Sequence, residues 1–208
     1  MTLKIKICGI TNPGDAQAAV EAGANALGFM FYEPSPRNVS LGAAANIIRG
    51  LPPFVARVGV FVNAAEPFIR EAIGECGIDT LQFHGEEPPE FCRQFAPLKR
   101  YKAFRVRDGA LLKTLSQFDT DAWLLDSCVP GKLGGTGAQF NWDLAVEAKQ
   151  LGRPIILAGG LTPENVAAAV RRVQPYAVDV SSGVEFAPGR KDARKLRDFI
   201  AAASAAAQ

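Results

Sequence analysis

The feature that most constrains how this chain can fold is an eightfold alternation. Short apolar, β-rich runs at 4–8, 26–32, 55–62, 80–84, 100–106, 122–126, 154–158 and 177–180 are each ended by Gly, Pro, Ser or Asn. Each is followed by an alanine- and leucine-rich segment of helical period, at 13–22, 41–49, 66–76, 89–95, 110–118, 142–151, 163–173 and 190–203. Several of these open with Pro or Asp/Asn, as helix starts prefer. Ile155-Ile156-Leu157 and Trp123-Leu124-Leu125 are apolar without alternation, which predicts parallel strands covered on both faces. Eight βα units in 208 residues predict an α/β fold, a single-domain (β/α)8 TIM barrel over residues 1–208 with terse loops. An open doubly wound sheet is the competitor, because periodicity alone does not establish closure.

Composition narrows the partners. With 48% hydrophobic and 21% charged residues the chain is an ordinary globular sequence. Its 23 basic and 21 acidic residues leave a dispersed net charge of +2, so nucleic acid is not an expected partner. No run reaches the roughly 18 apolar residues of a membrane span, and Lys4 and Lys6 fall where a signal peptide would be apolar. Cys8, Cys76, Cys92 and Cys128 show no CxxC spacing, and with one histidine, His84, they make no paired Cys/His zinc motif. Four free thiols in a reducing compartment predict a cytoplasmic protein, with no metal expected, no membrane contact and no obligate protein partner.

Residues able to do chemistry gather at the C-terminal ends of the predicted strands, where barrel active sites are assembled. They are Cys8-Gly9, Ser35-Pro36-Arg37, Asn63, Gln82 with His84-Gly85, Arg105 and Arg107, and Asp126 with the Gly134-Gly135-Thr136-Gly137 loop after it. Gly159-Gly160 ends the seventh strand, and Asp179 leads into Ser181-Ser182-Gly183 after the eighth. Glycine turns after the seventh and eighth strands of a barrel commonly cradle phosphate on backbone N–H groups. Gly159, Gly160, Ser181, Ser182 and Gly183 are therefore phosphate-binding candidates, with a hydroxyl of Ser181 or Ser182 as an added donor.

Each candidate also has a plain reading. The glycine pairs serve equally well as tight turns when taken singly. Asp126, closing an apolar strand, would be a capping or ion-paired carboxylate. Cys8 taken alone is an inert buried thiol. Arg37 would be a solvated loop residue, although Pro34 and Pro36 stiffen its loop in a way that suits a guanidinium held for a carboxylate. His84 reads first as a hydrogen-bonded rim residue, Cys76 and Cys92 read as helix packing, and Cys128 is open.

The motifs Lys6-Ile7-Cys8-Gly9-Ile10-Thr11, Ser35-Pro36-Arg37, Gly59-Val60-Phe61-Val62-Asn63, Gln82-Phe83-His84-Gly85, Leu124-Leu125-Asp126, Gly134-Gly135-Thr136-Gly137, Ala158-Gly159-Gly160-Leu161 and Val178-Asp179-Val180-Ser181-Ser182-Gly183-Val184-Glu185 stand in one order along the chain. This series resembles that of the phosphoribosylanthranilate isomerases, from the first strand to the eighth. The resemblance implies a small (β/α)8 barrel of tryptophan biosynthesis with no metal or organic cofactor, acting on a phosphorylated small molecule. The implied reaction is the Amadori rearrangement of N-(5-phosphoribosyl)anthranilate to 1-(o-carboxyphenylamino)-1-deoxyribulose 5-phosphate.

It implies Cys8 as general base and Asp126 as general acid, with Arg37 on the anthranilate carboxylate and Asp179 on the sugar or amine. Gln82 and His84 join the substrate-binding set and Gly135 the phosphate set. Those roles call for a protonated Asp126 in an apolar site and a Cys8 that loses its proton beside positive charge. Phe140-Asn141-Trp142 departs from the family's aromatic-Asp-Trp pattern, and Asn caps a helix about as well as Asp. Two alternatives remain open at this point: an isomerase of a related phosphoribosyl substrate, and a non-catalytic phosphosugar-binding barrel.

Overall fold

The computed structural model describes residues 2–106, 109–126 and 142–207. Arg107, Cys128, the loop Gly134-Gly135-Thr136-Gly137 with its phosphate candidate Gly135, and Asn141 lie outside the described residues. Among those described, β1 (Lys4–Cys8), β2 (Ala26–Phe31), β3 (Ala56–Phe61), β4 (Thr80–Phe83), β5 (Lys99–Arg105), β6 (Ala122–Asp126), β7 (Ile155–Ala158) and β8 (Ala177–Val180) pair in sequence order as a closed barrel. Every pairing is parallel, and Lys4 to Ile7 of β1 register with Ala177 to Val180 of β8 to close it. The open-sheet alternative is thereby excluded.

Between the strands run α1 (Pro13–Ala22), α2 (Leu41–Arg49), α3 (Glu66–Cys76), α4 (Pro89–Arg93), α5 (Leu111–Leu115), α6 (Trp142–Lys149) and α7 (Val166–Val173). Local chemistry sets their ends. The Asn12 side chain accepts from the Asp15 N–H to start α1, and Ser40 accepts from Ala43 to start α2.

Side-chain direction alternates along a strand, so the barrel sorts its residues into two cores. Ile5, Ile7, Leu27, Phe29, Phe61, Leu81, Phe83, Trp123, Leu125, Leu157 and Val178 pack outward against the helices in one large buried cluster. The opposite parity fills the barrel interior with two smaller clusters. One holds Cys8, Val58 and Val60; the other holds Ala103, Ala122, Leu124, Ile156, Ala158 and Ala177; Tyr101 packs against both. Both faces of β6 and β7 are thus largely apolar, which is why Trp123-Leu124-Leu125 and Ile155-Ile156-Leu157 show so little alternation. Cys76 and Cys92 lie buried on α3 and α4, as expected of packing residues, and burial pushes the Cys92 thiol up to about 12.

Two helix starts differ from the expectation by three residues. Helix α7 begins at Val166 rather than at 163, because the Asn165 side chain accepts from Thr162 N–H and donates to the Gly160 carbonyl, holding those residues in a turn. The segment from 190 does not begin a helix at all. A short hairpin of β9 (Glu185–Ala187) and β10 (Arg190–Lys191) stands there, turning at Pro188-Gly189, and α8 (Ala193–Ala206) starts only after it. Asp192 sets that start by accepting from the N–H groups of Arg194 and Lys195.

Candidate active site

Alternation along β1 places Lys6 and Cys8 together inside the barrel, at the end of the strand where the rim begins. Cys8 is 7% exposed. Opposite it in register stands Gly28 of β2, and a β-carbon there would lie 2.8 Å from Cys8 Sγ and 3.1 Å from Lys6 Nζ. The thiol and the ammonium occupy room that only glycine leaves. Lys6 donates to Asp179 Oδ1 of β8 at 2.9 Å, a pair with side chains 3% and 8% exposed. Burial alone would lower the Lys6 ammonium, but the Asp179 carboxylate and Cys8 outweigh it and hold the ammonium above its usual range.

Positive charge does stand beside Cys8, as the base role requires, yet the thiol is not depressed. Burial is the largest influence and raises it, Lys6 and Lys191 pull it down, Asp179 pushes it up, and the net shift is upward from the ordinary 9.0. The expectation of an acidified thiol is corrected on that ground: desolvation disfavours the thiolate more than the two ammonium groups favour it. A raised folded value means that the thiol keeps its proton to higher pH. The ultraviolet absorbance of thiolate, measured as native protein minus a Cys8→Ala variant, should therefore rise with a midpoint above 9.0; a midpoint below that value would show that the ammonium groups dominate.

Asp126 ends β6 on the interior parity shared with Ala122 and Leu124. Its Oδ2 lies 3.3 Å from His84 Nε2, and His84 Nδ1 meets Gln82 Nε2 at 2.8 Å. Gln82, His84 and Asp126 thus form one chain across the β4 to β6 side of the rim. The role of general acid suggested an apolar wall around Asp126; a polar imidazole stands there instead, because β4 and β5 bring His84 to the same rim. Asp179 is committed to Lys6, and that 2.9 Å pair fixes the orientation of its carboxylate.

The turns after β7 and β8 come together as expected. Gly159 and Gly160 both take positive φ, at 84° and 62°, and residues Ser182–Val184 form one turn of 3₁₀ helix. A β-carbon on Gly183 would sit 1.9 Å from the Leu161 carbonyl oxygen, so the two turns pack backbone against backbone. Such a pair presents main-chain N–H groups rather than side chains to the rim. Ser181 is a partial exception to the expectation: its hydroxyl donates to the Cys8 carbonyl at 3.1 Å, which ties β8 to β1.

Arg37 is half-buried and not a solvated loop residue. Its Nε and Nη2 donate to the two Glu185 oxygens at 2.9 and 2.6 Å. Asn63 and Gly85 serve their loops, since Asn63 N–H and Gly85 N–H both donate to the Glu87 carboxylate. Glu87 is in turn paired with buried Lys102 at 2.9 Å.

Lys6 was visible in the sequence two positions before Cys8, a spacing that shares a strand face. Glu185 closes the eighth motif with no role attached to it, and Gly28 and Lys191 carried no local signal. Among the described residues, no helix is long and apolar enough to cross a membrane, and no three His, Cys, Asp or Glu side chains stand together as a metal set.

Comparison with known proteins agrees along the whole barrel. Residues 5–202 match the family model described as N-(5'-phosphoribosyl)anthranilate (PRA) isomerase. The N-(5'-phosphoribosyl)anthranilate isomerase of Geobacter metallireducens is 55% identical over 205 residues, covering 98% of this chain and 100% of that protein. The crystal structure of phosphoribosyl anthranilate isomerase from Thermotoga maritima superposes with a TM-score of 0.91 at 42% identity, covering 98% of this chain and 99% of that one. A phosphoribosyl anthranilate isomerase in complex with reduced 1-(o-carboxyphenylamino)-1-deoxyribulose 5-phosphate gives 0.88 at 40% identity, with the same coverage. With a closed eight-stranded barrel, Cys8 and Asp126 on one rim and paired glycine turns between them, this chain belongs to the N-(5'-phosphoribosyl)anthranilate isomerase family.

Proposed function

We propose that the chain, acting as one barrel domain over residues 1–208, isomerises N-(5-phosphoribosyl)anthranilate in tryptophan biosynthesis, with Asp126 as acid and Cys8 as base. Strand order carries the reading. The barrel runs β6, β7, β8, β1, so the glycine turns of β7 and β8 lie on the arc between Asp126 and Cys8. A phosphate held on Gly159, Gly160, Ser182 and Gly183 leaves its sugar between the two groups, each against a different atom.

Asp126 gives its proton to the furanose oxygen as the C1–O bond breaks, and nitrogen's lone pair forms the iminium. The Cys8 thiolate then takes the C2 proton, and the C2–H electron pair neutralises the iminium to an enolamine. Return of a proton to C1 and loss of the enol proton give the ketone. Atoms and charge balance without an external oxidant.

Burial makes the Cys8 thiolate scarce but strongly basic, which suits abstraction from carbon, while Lys6 and Lys191 stand by to stabilise the anion. Arg37 faces the ring carboxylate and Asp179 the sugar or amine, and the Gln82–His84 pair orients the Asp126 carboxyl. The cytoplasm is the fitting location, because this base must stay a free thiol, as Cys8, Cys76 and Cys92 are.

Incubating the purified protein with phosphoribosylanthranilate should abolish the anthranilate-linked fluorescence of the substrate at an enzymatic rate. Turnover confined to a phosphoribosyl aminoimidazole substrate, or tight binding with no turnover, would defeat the proposal.

A further inference from the structure

A buried polar cluster on the β9–β10 hairpin reaches both the Cys8 end of β1 and Arg37. Lys191, on β10, has no exposed side-chain surface, and all three of its ammonium protons are used. They go to the Cys8 carbonyl at 2.6 Å, the Ser181 carbonyl at 3.2 Å and Glu185 Oε1 at 2.7 Å. Glu185, on β9, is 7% exposed and grips both Lys191 and the Nε/Nη2 edge of Arg37. Desolvation by itself would raise the Glu185 carboxyl, but its bonds to Arg37 and Lys191 prevail and hold it below its usual range.

The hairpin that carries this pair is itself fastened to the β1–α1 loop and the first turn of α1. Lys191 N–H donates to Asp15 Oδ2 at 2.8 Å, and the Thr11 hydroxyl donates to the Gly189 carbonyl at 2.6 Å. The Lys195 ammonium donates to the Glu185 carbonyl at 2.9 Å. The Arg37 stem crosses Gly9, its Cδ 2.6 Å from where a β-carbon would stand, so the guanidinium reaches over the residue next to Cys8.

A guanidinium has two bidentate edges. Glu185 occupies the Nε/Nη2 edge, which leaves the Nη1/Nη2 end to meet a ligand. We infer that Glu185 and Lys191 are positioning residues: Lys191 pins the Cys8 end of β1, and Glu185 aims the free edge of Arg37 at the aromatic carboxylate of the substrate. This inference rests on the reading of Arg37 given under the proposed function. A buried ion pair is weak evidence of stabilisation, and the bidentate geometry at Arg37 is what this one supplies.

The test compares inhibition by two stable probes, reduced 1-(o-carboxyphenylamino)-1-deoxyribulose 5-phosphate and the same compound made from aniline, which lacks the ring carboxylate. Their Ki ratio measures what the carboxylate gains. Inorganic phosphate serves as a third inhibitor that reads only the cradle. In the native protein the ratio should exceed about 10, the worth of charged hydrogen bonds. In Glu185→Gln it should fall by about 5-fold or more with phosphate inhibition unchanged, and Glu185→Asp should recover part of it.

A folded Glu185→Gln protein that keeps the native ratio overturns the inference, and melting by circular dichroism establishes that it is folded. Should Glu185→Gln not fold, the ratio in Glu185→Asp decides, since its shorter carboxylate must retract the guanidinium and shrink the ratio. Arg37→Ala separates the two levels. If it keeps the native ratio, Arg37 does not bind the carboxylate and the reading beneath the inference fails; if it collapses the ratio while the Glu185 variants do not, only the positioning role fails.

Discussion

Cys8→Ala is expected to lower kcat by about 10²–10⁴-fold, the usual contribution of one positioned base, while phosphate inhibition stays within about 2-fold of native. The turns proposed to hold phosphate are main-chain structures built on Gly159, Gly160 and Gly183, and none of them depends on the Cys8 side chain. The Lys191 and Ser181 bonds to residue 8 are made to its carbonyl oxygen and survive the substitution. A loss confined to turnover would therefore locate the defect at the thiol. Native turnover in this variant would remove Cys8 from the chemistry.

Asp126→Asn is the second large effect. The amide keeps the size of the carboxyl and its reach to His84, 3.3 Å away, but has no acidic proton to give to the ring oxygen. A fall in kcat of about 10²–10⁴-fold with nearly native KM is expected. The pH profile supplies a second readout. On the proposed mechanism native activity requires a protonated acid and an ionised thiol together, so the rate is expected to fall at both ends of the range. With the acid removed, only thiolate is required, and the residual rate should climb with pH toward the raised Cys8 ionisation. A residual rate that still fell in alkali would mean that another group is the acid.

Both residues could be singled out before any coordinates because they close strands. The end of each apolar run and the turn after it mark which residue comes last, and parallel strands carry their last residues to one rim. The environments were less accessible. The acid role calls for apolar walls around Asp126, and His84 stands beside it; the base role calls for positive charge beside Cys8, and burial outweighs the ammonium groups there and raises the thiol. Such balances depend on how many atoms exclude water, which no single-strand pattern encodes. The segment from 190 was read as helical because its composition is helical, while the turn at Pro188-Gly189 and the Asp192 cap delay α8 to Ala193.

The sequence by itself determined the eight βα units and the rim on which chemistry is possible, since these follow from local periodicity and strand ends, while the acid and base candidates came from the resemblance of its ordered motifs to one family. Only the tertiary structure decided closure, the Gly28 notch beneath the thiol and the clamp on Arg37. The guanidinium and Glu185 are 148 residues apart in the chain. Contacts of that kind exist only once β8 has closed on β1 and the hairpin after β8 is laid over the rim.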